Sequence, residues 1–437
     1  MDIISYKEAV QYLLQIPKFT KKNNAKHTAA FLDRVGNYRN QKNIIHVAGT
    51  NGKGSVCSYI SAILLKAGFK VGVFTSPHLV KINERFCING KPVTDEVFLQ
   101  AFIRMKKKIE QMLNESYPHP TFFECMVAMA SIIFSDAGVD YQIMETGLGG
   151  RLDATNIVEK PLASVITSIG YDHMEYLGNT LEEITSEKAG IIKYQVPVIY
   201  DAGKEAVNQV IEKKANELGV PCYPVEVKNC KNIKITNKHI DFSFFYEYDK
   251  NILLHLETIG LYQIVNAAIA IKTILVIDVE QKITMEHIQQ GIAETVWNGR
   301  MEWIAPGILL DGAHNPDGVR QAALSVRQLL PGKKVLLLFS AVKDKNYAQM
   351  IECLCNEIPF QAVIVTELSV PRAAKGEELQ HIFMNKYKGP VYLEKDIIRA
   401  ADKAMTCRTQ DTVLFCAGSL YLIGELRDYF LKRKDDR

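Results

Sequence analysis

The sequence predicts an α/β protein with two domains, each built on a sheet rich in parallel strands. Three observations predict this class. The chain has 437 residues, which is more than one hydrophobic core usually holds. Short apolar runs alternate with amphipathic segments from residue 44 onward, the order of strands and helices in a parallel sheet. A glycine-rich segment, residues 49–55, follows the first of these apolar runs.

The composition is that of an ordinary globular protein. Hydrophobic residues make up 47% of the chain and charged residues 23%, close to globular averages. A net charge of +3 gives no broad case for binding nucleic acid. The 9 cysteines include no C-x-x-C pair, so neither a disulfide framework nor a cysteine zinc site is indicated. Because no signal segment or membrane-spanning run is evident, we expect no membrane association and a cytoplasmic location.

The first alternation of strand and helix covers residues 44–277. The run Ile44–Ala48 predicts a strand, and apolar residues at helical spacing after it predict a helix that starts at Ser55. Alternating residues between about 222 and 257 predict a β-rich insertion or hairpin layer, and the spacing over 261–277 is again helical. Further strands are predicted at Val71–Phe74, 141–144, 165–168 and 198–200.

A second alternation predicts a smaller, Rossmann-like domain. It begins at Ile308–Leu310, and helical segments separate its runs, as in a doubly wound sheet. We place the domain boundary at 297–299, so that residues 1–298 form the first domain and residues 299–437 the second. Further strands are predicted at 335–339, 362–365, Val391–Leu393 and 413–415.

The glycine-rich segment predicts a phosphate-binding loop, and therefore a P-loop ATPase-like first domain. Its glycines let backbone N–H groups approach phosphate oxygens, Lys53 adds a positive charge, and the following helix adds its dipole. Gly54 follows the lysine and the hydroxyl comes only at Ser55, so the match to the general pattern is imperfect and a plain glycine turn is the alternative. The residues expected to bind ATP here are Gly49, Thr50, Asn51, Gly52, Lys53, Gly54 and Ser55.

Two residues at later strand ends are candidate metal ligands. Glu145 closes an apolar strand before a second glycine-rich segment, where its carboxylate can hold Mg²⁺ against phosphates. A solvated acid at a strand end is the alternative. A lone histidine is more often structural, but His173 follows a strand end in the same register as Lys53 and Glu145, where ligands of parallel sheets bind.

Together with further segments, these residues resemble the folylpolyglutamate synthase and dihydrofolate synthase family, within the ATP-dependent Mur-type amide ligases. The family often has histidine where this chain has Tyr262, a departure that affects one local contact. The segments that carry the resemblance span nearly the whole chain in order: 49–55, 74–79, 83–85, 145–156, 167–173, 187–193, 311–316 and 418–421.

The resemblance implies a site for ATP, two Mg²⁺ ions and a monovalent cation. Lys53 would hold the ATP phosphates, Ser76 and Glu145 one Mg²⁺, and His173 the second. Lys188 matches a lysine that is carbamylated in the family, and a carbamate offers oxygen to cations that an ammonium would repel; a surface lysine paired with an acid is the alternative. With Lys53 and His173, Lys188 completes the catalytic set. Further implied nucleotide contacts are Asn266, Arg300, Asp311 and His314.

The resemblance also implies the substrate contacts. Two adjacent phenylalanines are more often core than ligand contacts, and the charges expected to hold the glutamate carboxylates have surface positions as their alternative. The implied pterin contacts are Thr121, Phe122, Phe123, Glu124, Leu152, Asp153 and Ala154, and the implied glutamate contacts are Lys343, Asp344 and Arg372.

The implied reaction is the ATP-dependent addition of L-glutamate to a reduced folate, and to dihydropteroate, through an acyl phosphate. We expect a monomer whose partners are these small molecules, with a hinge at residues 297–300 that lets the domains close. Two alternatives stay open at this stage. One is a cell-wall Mur ligase acting on a UDP-linked precursor, and the other is a nucleotide-binding regulator without catalytic activity.

Overall fold

The computed structural model describes residues 4–16, 23–247 and 250–435. The limits predicted for the two domains at residues 1 and 437 therefore lie outside the described residues. The α-helices are α1 Tyr6–Gln15, α2 Ala25–Val35, α3 Lys53–Lys66, α4 Asp95–Asn114, α5 Phe122–Ala137, α6 Met174–Leu177, α7 Leu181–Ala189, α8 Glu205–Leu218, α9 Gln263–Ile277, α10 Met285–Ala293, α11 Pro316–Leu329, α12 Tyr347–Glu357, α13 Gly376–Lys386, α14 Ile397–Cys407 and α15 Leu420–Asp435. The strands are β1 Ile44–Ala48, β2 Val71–Phe74, β3 Phe86–Ile88, β4 Lys91–Pro92, β5 Tyr141–Glu145, β6 Ala163–Ile166, β7 Val198–Asp201, β8 Cys222–Val225, β9 Cys230–Ile235, β10 Ile240–Phe245, β11 Asn251–Leu256, β12 Glu302–Ala305, β13 Ile308–Leu310, β14 Lys334–Phe339, β15 Phe360–Val365, β16 Val391–Leu393 and β17 Thr412–Ala417.

The larger sheet has eight strands in the order β4-β3-β2-β5-β1-β6-β7-β8. The strands from β2 to β8 in this order pair in parallel, and β3 and β4 add an antiparallel edge. Apolar residues of β1 lie in buried clusters on both faces of the sheet, because successive side chains of a strand point to opposite faces. Ile45 and Val47 pack with α3, α9 and α10, while Ile44 packs with α4 and α5. Helices thus cover both faces of this sheet.

The smaller sheet has six strands in the order β12-β13-β17-β14-β15-β16, all parallel except β12. Its two faces are again both buried: Leu337 and Phe339 belong to one cluster, and Leu336 and Leu338 to the other. The predicted fold class, a parallel-rich first domain followed by a Rossmann-like second domain, is confirmed. The position of the boundary between residues 298 and 299 stays a prediction.

A third, antiparallel sheet has the order β11-β10-β9 and packs onto the core shared by α3, α9 and α10. The sequence predicted one β-rich insertion over about 222–257. That prediction was wrong at its start, because β8 pairs in parallel with β7 and belongs to the larger sheet. Only residues from Cys230 onward form the separate sheet.

Two predicted boundaries next to the candidate site also need correction. The helix after the phosphate loop begins at Lys53 rather than Ser55, since Gly52 takes a left-handed backbone with φ of 88° and caps the helix. The strand predicted at 165–168 is β6, Ala163–Ile166, so residues 167 and 168 already belong to the loop at the sheet edge. Within the described residues, none of the helices is both long and apolar enough to cross a membrane.

Candidate active site

A cavity of about 950 Å³ opens between the two domains, at the carboxyl ends of the parallel strands. Residues that follow β1, β2, β5 and β6 line it from one side, and residues that follow β13 line it from the other. Ligands of parallel sheets bind at such an edge. The cavity brings together every residue predicted to bind ATP or metal: Gly49, Thr50, Asn51, Gly52, Lys53, Gly54, Ser55, Ser76, Glu145, His173, Lys188, Asn266, Arg300, Asp311 and His314.

The phosphate loop is tied to the neighbouring strand end. The N–H groups of Thr50 and Asn51 both donate to the carbonyl of Ser168, at 2.8 and 3.1 Å. A Cβ on Gly49 would lie 1.9 Å from the hydroxyl oxygen of Thr167, so only glycine fits there. Gly52 offers no side chain to cap α3, and the first-turn N–H groups of a helix lack intrahelical partners. These N–H groups are therefore the ones free to meet an anion.

Glu145 and Lys53 face each other at the base of the cavity. The Lys53 ammonium lies 3.7 Å from the Glu145 carboxylate and donates to the carbonyls of Gly49 and Thr50. The backbone N–H of Ser76 donates to the same carboxylate at 3.2 Å. Burial raises the pKa of Glu145 above its ordinary value, although the charge of Lys53 opposes this shift. Because few hydrogen-bond donors contact this buried carboxylate, its oxygens are well suited to bind a hard cation.

Lys188 is buried beside the same loop. Only 3% of its surface is exposed, and its amine donates to the Gly49 carbonyl at 2.8 Å. Burial, together with the nearby charge of Lys53, lowers the pKa of Lys188 to about 7. The predicted alternative, a surface lysine paired with Glu187 or another acid, is wrong, because Lys188 is buried and Glu187 pairs with Arg151 at 2.7 Å.

His173 lies at the cavity wall in a backbone conformation that is uncommon for residues other than glycine, with φ of 52°. Its Nε2 is 3.3 Å from the ammonium of Lys345, which in turn pairs with Asp172 at 2.5 Å. Burial lowers the pKa of His173 to about 4, so the imidazole is neutral at pH 7. Burial alone would raise the pKa of Asp172, but the charge of Lys345 holds it well below its ordinary value.

Asn315, Asp172 and Lys345 are site residues that sequence reasoning missed. The amides of Asn51 and Asn315 exchange hydrogen bonds of 3.2 and 2.9 Å across the two domains, and Asn315 also donates to Asp172 at 3.1 Å. A signal for each was present: Asp172 precedes His173, Asn315 follows the predicted contact His314, and Lys345 follows the strand end of β14. The sequence could not predict which of these residues contact one another.

Asp311 anchors the second domain at the cavity. It is 1% exposed and accepts hydrogen bonds from the Tyr262 hydroxyl at 2.7 Å and from the N–H groups of Met301 and Ala313. Burial raises its pKa, although the charge of Arg300 opposes this shift. Tyr262, the residue that departs from the family pattern, therefore ties α9 to the second domain.

The predicted pterin contacts lie outside the residues that line this cavity. Thr121 and Glu124 form a capping box at the start of α5, and Phe122 is buried with 5% exposure. Both oxygens of Asp153 accept hydrogen bonds from the loop that it closes, from Gly147, Leu148 and Thr155. The remaining three are the exposed Leu152, the buried Ala154 and Phe123, whose ring lies against Gly147. Their contact with a substrate stays a prediction.

The predicted glutamate contacts also lie outside that lining, in the second domain. The Arg372 guanidinium donates to Asp344 at 2.9 Å and to the Tyr421 hydroxyl at 3.2 Å. Lys343 is exposed, and its backbone N–H donates to the Arg372 carbonyl at 2.8 Å. The structure groups these residues together, and their role stays a prediction.

The two halves of the chain match the two domain types of one enzyme class. Residues 47–274 match the Mur ligase middle domain, and residues 299–420 match the Mur ligase glutamate ligase domain. The chain is thus an ATP-dependent ligase of the Mur type, in agreement with a glycine-rich loop that faces a second domain across one cavity.

Comparison with named relatives shows to which family of Mur-type ligases the chain belongs. The chain is 35% identical to a dihydrofolate synthase/folylpolyglutamate synthase of Bacillus subtilis, over 97% of this chain and 98% of that protein. It is 30% identical to a folylpolyglutamate synthase of Lacticaseibacillus casei, over 99% and 100%. A Mycobacterium tuberculosis folylpolyglutamate synthase complexed with ADP and AMPPCP superposes with a TM-score of 0.89 at 25% identity, over 97% and 98%. The chain belongs to the folylpolyglutamate synthase and dihydrofolate synthase family.

Proposed function

We propose that this enzyme uses ATP to join L-glutamate to a reduced folate, and also to dihydropteroate. The observation that carries the proposal is the convergence of Lys53, Glu145, His173 and Lys188 on one cavity that both domains line. The names of the relatives support the two proposed acceptor substrates, since the Bacillus subtilis protein is named both dihydrofolate synthase and folylpolyglutamate synthase. The Mycobacterium tuberculosis protein is complexed with ADP and AMPPCP, which supports ATP as the nucleotide substrate.

In the first step, a carboxylate of the folate or pteroate attacks the γ-phosphorus of ATP and ADP leaves, which gives an acyl phosphate. Lys53 neutralises charge on the transferring group, and the free N–H groups at the start of α3 hold the phosphates. No covalent bond to the protein is needed. Positioning and charge stabilisation are the enzyme's contribution.

Mg²⁺ fits the residues present. Glu145 offers a buried carboxylate and Ser76 a hydroxyl, and we propose that they hold one ion, while the neutral imidazole of His173 contributes to a second. When bound, Mg²⁺ neutralises charge on the β- and γ-phosphates. A monovalent cation is a further predicted ligand, for which we assign no residues.

Carbamylation of Lys188 is part of the proposal. A neutral lysine amine adds to CO₂ and loses a proton, so the reaction needs a lysine whose pKa lies near the working pH. Lys188 meets this requirement because burial lowers its pKa to about 7. The product would be an anion beside Lys53, which turns a repulsion between two ammonium groups into an attraction.

In the second step, the amine of glutamate attacks the acyl carbon, phosphate leaves, and the amine loses a proton to give the amide. We propose that residues 1–298 hold ATP and the pterin and that residues 299–437 bring glutamate, held by Lys343, Asp344 or Arg372. The proposed pterin site comprises residues 121–124 and 152–154. Closure at residues 297–300 would exclude the water that hydrolyses an acyl phosphate.

The proposal is tested by incubating the enzyme with ATP, Mg²⁺, L-glutamate and either dihydropteroate or tetrahydrofolate, and following the amide product by mass spectrometry. We expect an added glutamyl unit and one ADP per amide. ATP consumption without amide formation on either acceptor would refute the proposal. Turnover of a UDP-linked cell-wall precursor would support the first alternative, and nucleotide binding without ADP release the second.

Neither alternative is supported by the names of the relatives, which are dihydrofolate synthase/folylpolyglutamate synthase and folylpolyglutamate synthase. The proposal also includes a monomeric, cytoplasmic enzyme with no nucleic-acid partner. Analytical ultracentrifugation with and without ATP tests the oligomeric state.

A further inference from the structure

Two histidines and an acid form a cluster on the three-stranded sheet. His239 directly precedes β10, Asp241 lies on β10, and His255 is the cross-strand partner of Asp241 on β11. The Nε2 atom of His239 is 3.4 Å from Asp241 Oδ2, and the Nδ1 atom of His255 is 2.7 Å from Asp241 Oδ1. One donor atom of each residue lies within 4.8 Å of the other two. None of the three lines the nucleotide cavity.

The backbone beneath this cluster is fixed by the core. Ile240 and Phe242, the neighbours of Asp241, are fully buried, and so is Leu256 next to His255. Because side chains alternate across a strand, Asp241 and His255 lie on the opposite face of the sheet. The side chains of the cluster are 32–39% exposed, which leaves an ion free to enter from solvent.

A second carboxylate orients one of the rings. Glu257 accepts from the Nε2 of His255 at 3.0 Å, which turns Nδ1 towards Asp241. Metal-bound histidines usually donate their other nitrogen to a carboxylate in this way. The ring centroids of His239 and His255 are 4.7 Å apart, so both imidazoles reach the same space.

We propose that His239, Asp241 and His255 bind one divalent transition-metal ion of the zinc class. Two imidazole nitrogens and one carboxylate oxygen suit Zn²⁺, whereas Mg²⁺ prefers a ligand set made mostly of oxygen atoms. Zinc–nitrogen bonds of about 2.0–2.1 Å let an ion bridge donor atoms at these separations after small side-chain rotations. The ion replaces the hydrogen bond between His255 and Asp241 and the contact between His239 and Asp241, and water completes its coordination. The site is separate from the nucleotide site and does not depend on the proposed ligase reaction.

Zinc titration of the untagged, full-length, metal-free protein tests the site. We expect calorimetry to show one Zn²⁺ equivalent that a His239→Ala/His255→Ala double variant loses. His381→Asn, which alters an exposed histidine on α13, is the matched control and should keep it. Glu257→Gln keeps all three ligands and should weaken binding by about 10–100-fold. Co²⁺ bound to the native protein should show visible absorption bands typical of nitrogen and oxygen ligands.

Two results would overturn the proposal. One is the absence of Zn²⁺ binding to the native protein. The other is equal stoichiometry and affinity in the native protein and the double variant, which would assign the zinc to other residues such as the cysteines. Asp241→Asn, which keeps the size of the side chain, gives a second variant should the double variant fold poorly, and circular dichroism checks both.

Discussion

Two lysines, the partly exposed Lys53 and the buried Lys188, dominate the charge of the candidate site at the scale of single residues. Lys53 and Lys188 both donate to the Gly49 carbonyl, and the charge of Lys53 helps to lower the pKa of Lys188 to about 7. Two like charges held so close in a buried site are costly. In the proposed function, this arrangement prepares Lys188 for carbamylation and keeps Lys53 in place for phosphate.

Replacing Lys53 should reduce turnover while leaving the fold intact. We expect Lys53→Ala to lower kcat by roughly 10²–10³, the usual effect of removing one group that stabilises charge in the transition state. The measurement is ADP release at saturating substrates. Lys106→Gln, which removes a lysine paired with Glu110 on the surface of α4, should leave kcat unchanged. An unchanged kcat in Lys53→Ala would exclude the proposed role.

The ionisation of Lys188 should make stability depend on pH. Its folded pKa of about 7 lies below its ordinary value of 10.5, so the unfolded state binds the extra proton between these limits. The free energy of unfolding therefore rises with pH between these two pKa values. Below about pH 7, Lys188 is protonated in the folded protein and its burial destabilises the fold by the full amount.

We expect the difference in unfolding free energy between native protein and Lys188→Met to change by about 1 kcal/mol per pH unit between about pH 7 and 10. The native protein should gain relative to the variant as pH rises. Urea unfolding in CO₂-free buffer measures the difference, and the hydrogen bond lost to Gly49 adds only a constant offset. A difference that stays level over this range would contradict the burial of an ionisable amine.

At the scale of elements, the sequence predicted the buried strands well. It predicted poorly the very short strands and the start of a helix that depends on its capping residue. β1, β2 and β13 have the predicted bounds, because a run buried on both faces is apolar throughout. The partly exposed β16 also has its predicted bounds. β3 and β4 have three residues and two residues, too few to show a period. The start of α3 was missed because it depends on the backbone of Gly52, whose left-handed conformation is not visible in a pattern of apolar residues.

Close helix packing behind the phosphate loop gives a test at this scale. A Cβ on Gly291 in α10 would lie 2.6 Å from backbone atoms of Ile63 in α3. Gly291→Ala should force the two helices apart and cost about 1–3 kcal/mol. The measurement is the urea midpoint, with Gln290→Ala on the exposed side of α10 as control. Equal midpoints for both variants would show that the helices can separate without cost.

At the scale of the whole molecule, the site is complete only where the two domains meet. Asn51 and Asn315 are 264 residues apart in the chain and exchange two hydrogen bonds, and Asp172, which lines the cavity, pairs with Lys345 of the second domain. The sequence placed the residues of each domain at strand ends, because that position follows from local pattern. It could not pair them, because the approach of one sheet edge to the other is set by packing that no local pattern records.

The Asp172–Lys345 pair should therefore hold the domains in their present arrangement. Both side chains are buried, with exposures of 9% and 7%, and removing one partner leaves an uncompensated buried charge worth about 3–5 kcal/mol. Because separation of the domains would hydrate Asp172, we expect Lys345→Gln to favour an open arrangement. Small-angle scattering should show a larger radius of gyration, and proteases should cleave the predicted hinge at residues 297–300 faster.

Lys343→Gln is the matched control for this measurement, since Lys343 is exposed and lies two positions earlier in the same loop. It tests the arrangement of the domains only, because Lys343 is itself a predicted glutamate contact. Adding ATP should close the Lys345→Gln variant again in part, because the nucleotide would supply new contacts to both domains. Scattering curves that coincide for native protein, Lys343→Gln and Lys345→Gln would mean that the remaining contacts, the amide pair of Asn51 and Asn315 above all, suffice to hold the cavity closed.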